Sequence, residues 1–310
     1  MGLAYLLARA ADTIADTDLI GRDQRLQYLN MFRAQFAGHE VQPQALEAIQ
    51  AGLLPHQTDS AERVLLERLP ECVALYRQFE QEDRARIRWL MEVLPKGMEM
   101  DLTRFPGSSD HALSALERPE ELDQYTYFVA GCVGEFWTRM VCAHRPAMSH
   151  WDVERMSAVG VRFGKGLQLT NIVKDLARDL HNGRCYVPTQ WLEEVGLTPA
   201  DLLQAKNLPA FRPILLRMIR QAVDHLDQGW LYTMALPRLE IRQRLACMWP
   251  ILLAGETLKR VVRVPDLLDP TVNVKAPRSV VYRVMALTTL TGACGYVGTA
   301  YWGHLRKQIV

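Results

Sequence analysis

Apolar residues in this 310-residue chain recur at helical spacing almost from end to end. Leu3, Leu6, Leu7, Ala10 and Ile14 stand three and four apart, the repeat of one helix face rather than the alternation of a half-buried strand. The same pattern runs through about 26–37, 60–79, 82–103, 120–144, 152–181, 210–234, 239–262 and 277–302. Between these stretches Pro, Gly, Asp and Ser cluster at 52–59, 105–110, 181–184 and 264–277, which marks loops. No βαβ rhythm, glycine-rich phosphate loop or repeat of fixed period interrupts the series. The pattern predicts an all-α fold, with residues 1–310 forming a single domain.

Composition narrows the function. At 49% hydrophobic and a formal charge of +1 the chain can bury a core, and it lacks the signature of disorder. Its 36 basic and 35 acidic side chains leave no cationic excess for a nucleic-acid backbone, so no nucleic-acid partner is expected. An anionic ligand must instead be held by a local arrangement. The six cysteines include no CxxC pair, which fits reduced thiols and a cytoplasmic protein better than a zinc site or a disulfide framework. The N-terminus reaches Arg9 and Asp12 too early for a signal peptide. Residues 284–302 carry no charge, but Thr288, Thr289, Thr291 and Thr299 with Gly292, Gly295 and Gly298 make them only mildly apolar. A buried terminal helix is expected there rather than a membrane span, and peripheral contact with a membrane surface is left open.

Two helices carry polar stripes that a plain amphipathic helix does not need. In the first, Arg9, Asp12 and Asp16 are three and four apart; in the second, Gln168, Asn171, Asp175 and Asp179 are three, four and four apart. Carboxylates at i and i+4 repel by about 0.2–0.5 kcal/mol per pair in an isolated helix. A solvated face explains such a pair; so does a divalent cation, since Mg²⁺ takes one or two carboxylates together with phosphate oxygens and water. Two such stripes across a cavity could hold a pyrophosphate through bridging Mg²⁺.

A third segment, 125–137, places Gly131 and Gly134 inside a helix, where each glycine costs about 1 kcal/mol relative to alanine. Something must approach that face closely: either another helix or a long apolar substrate. Tyr125, Val129, Val133 and Trp137 fall on one helical line there, and would supply aromatic and aliphatic walls with a phenol at one end. After the second stripe, Gly183 reads as a helix C-terminal glycine that turns Arg184 back toward the carboxylates, although a surface arginine in a turn fits equally.

Together, Asp-Thr-Ile-Ala-Asp at 12–16, Gly-Met-Glu-Met-Asp-Leu at 97–102, Tyr-x-Tyr-x-Val-Ala-Gly-x-Val-Gly at 125–134 and Gln-Leu-Thr-Asn-Ile-Val-Lys-Asp-x-x-x-Asp at 168–179, followed by Gly-Arg-x-Tyr-Val-Pro, resemble the squalene/phytoene synthase family. Order and spacing match over about residues 3–200, and a weaker likeness continues to the C-terminus. The resemblance implies an all-α isoprenoid synthase-type helical bundle around a central cavity. It also implies Mg²⁺-dependent head-to-head condensation of two prenyl diphosphates, and downstream isoprenoid enzymes as partners. The squalene branch, slightly favoured by the run at 3–16, converts farnesyl diphosphate through presqualene diphosphate to squalene with NADPH. The phytoene and dehydrosqualene branch needs no NADPH.

On the same resemblance Asp12, Asp16, Asp175 and Asp179, supported by Asn171, would hold Mg²⁺. Arg9, Arg184 and Tyr186 would contact diphosphate, Tyr125 would face the reacting carbons, and Val129, Val133, Gly134 and Gln168 would line the prenyl cavity. The chain departs from the pattern at Ala15 and Arg178, where relatives often carry an acid. The extra helix with a Ser-x-Ser/Thr-Phe-like segment that usually precedes the first motif is expected to be lacking. The C-terminal Tyr and Arg of some relatives have no clear match in this chain, and Lys275 or Arg278 would substitute for them. A non-catalytic relative serving as an assembly module is the alternative of another class, and a cyclising terpene synthase fits the motifs less well.

Overall fold

The computed structural model describes residues 1–17, 20–38, 42–107, 109–291 and 295–310, and α-helices make up nearly all its regular structure. The described chain divides into two compact units, Met1–Pro106 and Gly107–Val310. The first holds α1 (Gly2–Asp16), α2 (Arg22–Ala37), α3 (Pro43–Leu53), α4 (Ser60–Glu67), α5 (Leu69–Arg77) and α6 (Gln81–Arg104). Leu3, Leu7, Ala10 and Ile14 bury one face of α1 within this unit, as their spacing predicts, together with Ala11; Leu6, expected on the same face, is exposed because it lies at that face's edge. Phe36 anchors its core, meeting Phe32 and Tyr76 edge-on with ring centroids 5.2 Å from each.

The helix expected over 60–79 is two helices. Asp59 caps α4, its carboxylate accepting from the backbone N–H groups of Ala61 and Glu62 at 2.9 and 3.0 Å. At Arg68 the backbone leaves helical geometry (φ −96°, ψ 11°), and α5 restarts with Pro70 in its first turn. Proline has no N–H to continue α4 but suits a helix start. Helix α3, short and opening on Pro43, lies outside the periodic stretches of the sequence.

The second unit holds α7 (Pro119–Thr126), a π-helical turn (Tyr127–Gly131), α8 (Cys132–His144), α9 (Val153–His181), α10 (Thr189–Glu193), α11 (Leu208–Ala235), α12 (Ile241–Arg263), α13 (Arg278–Leu290) and α14 (Gly295–Ile309). Helix α9 is its axis, about 43 Å long at 1.5 Å per residue. Asp152 caps it by accepting from Arg155 N at 3.1 Å. Three buried glycines, Gly160, Gly164 and Gly166, let neighbouring helices come close. Its end is as the sequence predicts: Gly183 takes φ +78° and its N–H donates to Leu180 O at 3.0 Å. The chain then forms β2 (Arg184–Cys185), paired in parallel with β1 (Ser114–Ala115).

The terminal region corrects the expectation of one buried helix over 277–302. Helices α13 and α14 are separate, and the sequence from Gly292 through Gly295 and Gly298 is rich in glycine, which is costly in a helix. Only Val284 and Thr288 of α13 are buried, while Leu290 is 86% and Tyr296 83% exposed. Among the described residues no helix is long and apolar enough to cross a membrane. Cys72, Cys132, Cys142, Cys185 and Cys247 are free thiols; Gly292 and Cys294 lie outside the described residues.

Candidate active site

In the first unit, α1 carries Arg9, Asp12 and Asp16 on its more exposed side, opposite the buried Ala11, Ile14 and Ala15. Arg9 donates to Asp12 Oδ2 at 2.5 Å and reaches Glu62 of α4 with its other terminal nitrogen. Gln57 Nε2 holds the second oxygen of Glu62 at 2.9 Å. Burial and then the neighbouring Asp16 raise the Asp12 pKa, and Arg9 only partly offsets them. Asp12 is thus partly desolvated while Asp16, one turn on, is exposed, and a divalent cation shared by the two would relieve their repulsion. Ala15 is 2% exposed and belongs to the packed side of α1. The α6 motif at 97–102 contributes Glu99, paired with Arg33 of α2 at 3.0 Å.

In the second unit, Gln168, Asn171, Asp175 and Asp179 lie along α9 as spaced. Asp175 Oδ2 is gripped by Lys174 Nζ at 3.1 Å and by Arg178 at 3.2 Å, and Lys174 also donates to Asn171 Oδ1 at 3.0 Å. Arg178, the departure at that position, is thus a counterion of the stripe. Among the described residues no three His, Cys, Asp or Glu side chains form a ready-made metal cage. The acidic residues suit Mg²⁺ that is shared with phosphate oxygens rather than enclosed by protein.

The aromatic end of the site is buried. Tyr125 and Tyr186 stack with ring centroids 4.8 Å apart, and the Tyr125 hydroxyl donates to that of Tyr186 at 3.3 Å. Tyr186 follows β2, whose first residue is the half-buried Arg184.

The glycines of 125–137 serve the close approach of another helix, and an apolar cavity lies beside it. A Cβ built on Gly134 would stand 1.9 Å from Gly160 O, and one on Gly164 would stand 2.2 Å from Ala130 O, so helix backbones meet there. Beside that crossing, Val129, Val133, Gly134 and Trp137 line an apolar cavity of about 310 Å³ with Phe163, Tyr232 and Cys247. Tyr232 is fixed by a 2.9 Å hydrogen bond with Thr138, and burial raises the pKa of its phenol. Burial likewise pushes the Cys247 thiol up to about 12. A second cavity of about 380 Å³ shares Leu167 and Pro250 with the first and is lined by Asn171, Lys174, Thr257 and Lys275. Gln168, expected among the prenyl-lining residues, is half-buried on α9 and borders neither cavity. Lys275 borders the polar cavity, and Arg278 begins α13.

Sequence reasoning missed Glu62, which closes the Arg9–Asp12 group from another helix, and Phe163, Leu167, Tyr232 and Pro250, whose apolar types read as ordinary core. Lys174 stands inside the 168–179 motif, and its charge beside Asp175 was the available signal.

Residues 1–279 match the family model described as squalene/phytoene synthase, and the chain belongs to that family. It is 34% identical over 141 residues to the bifunctional lycopene cyclase/phytoene synthase of Colletotrichum graminicola, a match covering 45% of this chain and 23% of that protein. To the 15-cis-phytoene synthase of Enterobacter agglomerans it is 30% identical over 138 residues, covering 44% of this chain and 42% of that one. The matched stretches thus span well under two thirds of these relatives. Among solved structures, TcSQS with a bound ligand has a TM-score of 0.74 at 21% identity, covering 99% of this chain and 82% of that one. The squalene synthase HpnC from Alicyclobacillus acidocaldarius has a TM-score of 0.51 at 17% identity, covering 94% and 82%. Identities this low show a shared helical fold.

Proposed function

We propose that this chain is a prenyltransferase that condenses two prenyl diphosphates head to head, with residues 1–310 working as one synthase domain. The observation that carries the reading is a pair of cavities along α9 that share Leu167 and Pro250, one apolar and one bearing Asn171, Lys174 and Lys275. A prenyl tail needs the first and a diphosphate the second. In this reading Asp12, Asp16, Asp175 and Asp179, with Asn171, hold Mg²⁺, which when bound acts as a Lewis acid on the departing diphosphate.

The protein's own groups do the remaining work. Arg9, Arg184 and Tyr186 bind diphosphate oxygens, and Lys174 and Arg178 keep Asp175 in one orientation. Val129, Val133, Trp137 and Phe163 exclude water from a carbocation, and the Tyr125 ring faces it. The Cys247 thiol, protonated at neutral pH, is a poor trap for such a cation.

The first reading of the product is squalene, from farnesyl diphosphate with hydride from NADPH. A cavity of about 310 Å³, at the lower end of the about 300–1,000 Å³ usual for ligand pockets, supports the shorter tail. The second reading, phytoene or dehydrosqualene by proton loss without NADPH, is favoured by relatives named phytoene synthase. Incubation with farnesyl or geranylgeranyl diphosphate and Mg²⁺, with and without NADPH, followed by hydrocarbon analysis separates them. Absence of product from both substrates refutes the enzyme reading and leaves the assembly role.

A further inference from the structure

Helix α13 has little apolar packing of its own. Of its 13 residues only Val284 and Thr288 are buried, too few to fix where the helix sits. Two polar ties to α12 fix it instead. Trp249 Nε1 donates to the Thr288 hydroxyl at 2.8 Å, and Arg283 donates to Glu256 Oε1 at 3.3 Å. Thr288 follows Arg283 whereas Trp249 precedes Glu256, so the two helices run antiparallel along this seam.

Glu256 is the unusual member. It is 3% exposed, and no step of the proposed reaction uses it. Tyr301 of α14 donates to its Oε1 at 2.5 Å, and Lys259 of α12 lies 3.5 Å from its Oε2. Arg283 also donates to the Tyr301 hydroxyl at 3.4 Å, which closes the group. Burying a carboxylate is costly even when it is paired, and an apolar side chain of similar volume is often as stable or more so. Packing of α14 on α12 is supplied nearby in any case, since Trp302 and Leu305 lie against Gly255. Stability therefore does not account for a charge at this position.

The neighbouring cavity does. Leu253, Ala254 and Thr257 of α12 line the polar cavity of about 380 Å³, and Lys275, Ala276 and Val281 wall it from the following segment. Glu256 itself does not border that cavity. Val281 stands in the first turn of α13, and Lys275 in the loop that leads into it. That loop has a defined shape: Val274 is buried, and the Lys275 N–H donates to Asn273 Oδ1 at 2.9 Å. The seat of α13 thus sets where the Lys275 side chain begins. We infer that Glu256 is a positioning residue, which holds Arg283 and, through α13, places Lys275 in the polar cavity to meet a diphosphate. The inference rests on the reading of that cavity as the diphosphate site.

The test is calorimetric titration of the full chain with inorganic pyrophosphate in Mg²⁺ buffer. Lys275→Ala should weaken binding about tenfold, and Glu256→Gln, which removes the charge but keeps the shape, about fivefold. In the double variant, Glu256→Gln should add nothing to Lys275→Ala, because both act through one ammonium group. Arg283→Gln, at a side chain that is 62% exposed, should repeat the Glu256→Gln loss with less risk to folding, and Arg283→Lys should recover most of it. With a prenyl diphosphate as substrate, Glu256→Gln and Arg283→Gln should raise KM more than they lower kcat. Arg306→Gln is the control. It cuts a comparable tie between α14 and α11, Arg306 to Asp227 at 2.8 Å, and should lower the unfolding midpoint without changing pyrophosphate affinity. Pyrophosphate binding unchanged in Glu256→Gln and Arg283→Gln, or losses that multiply in the double variant, overturn the inference while the reading of the cavity stands. A wild type that does not bind pyrophosphate overturns that reading and the inference with it.

Discussion

Replacing Gly134 by alanine tests the packing that builds the second unit. A Cβ at this position would lie 1.9 Å from Gly160 O and 2.4 Å from Gly160 C. Carbon contacts become favourable at about 3.5 Å, so the shortfall is about 1.6 Å against backbone that has no rotamer to change. Helices α8 and α9 must therefore move apart over the stretch that also walls the apolar cavity. Overpacking of this kind costs about 1–3 kcal/mol, and more where backbone is struck. The higher helix propensity of alanine returns about 1 kcal/mol. We expect a net loss of about 2 kcal/mol or more for Gly134→Ala. Gly303, inside α14 and with open space for 4 Å around the position a Cβ would take, is the control. Gly303→Ala keeps only the propensity gain and should stabilise by up to about 1 kcal/mol. Urea unfolding followed by tryptophan fluorescence measures both midpoints. If Gly134→Ala is as stable as wild type, the close approach of α8 to α9 is not what fixes this helix pair.

Asp175→Asn should remove most turnover while leaving the thermal midpoint within a few degrees; a normal rate would refute the metal role of the α9 stripe. Arg178→Ala should lower the Mg²⁺ concentration for half-maximal activity about twofold, a small effect because the Arg178 side chain is 59% exposed. Phe163→Ala, which deepens the apolar cavity, should shift the product toward longer prenyl chains when both substrates are offered, read by mass spectrometry. Burial, then Arg162 and Lys165, push the His225 imidazole down from 6.5 to about 4, so the native state stays neutral where the unfolded chain protonates. Stability should therefore be full above about pH 6.5 and fall by about 1–3 kcal/mol toward pH 4, a slope that His225→Gln should flatten in urea titrations.

The fold class was legible because the chain repeats one period throughout, and the polar stripes because charged residues at helical spacing interrupt apolar helices. Gly183 was legible as well, since a helix that must stop needs a residue able to adopt a positive φ. Interruptions were harder. Pro70 was visible in the sequence, but the apolar period carries straight through the break at Arg68. The cavity floor was not legible at all. Phe163 and Tyr232 are the residue types of any core, and only their position against Gly134 and Gly160 shows a space beside them. For the terminal segment, composition gave the lack of charge, but an uncharged run does not reveal that Leu290 and Tyr296 face outward.

The π-helical turn at Tyr127–Gly131 constrains which lengths of chain this helix can accept. In a plain α-helix a step of four residues overshoots a full turn by about 40°, so Tyr125, Val129 and Val133 would spiral away from one another. A wider turn between them absorbs part of that drift. The turn holds the equivalent of one residue more than an α-helix of the same span. Losing any one of the five would let the helix close into regular hydrogen bonding, a gain by local criteria. Because the turn absorbs that one residue, Tyr125 would keep its position around the axis relative to Gly134, which is locked against Gly160. The segment can therefore lose one residue without turning its flanks, whereas a deletion within α8 would rotate them by about 100°.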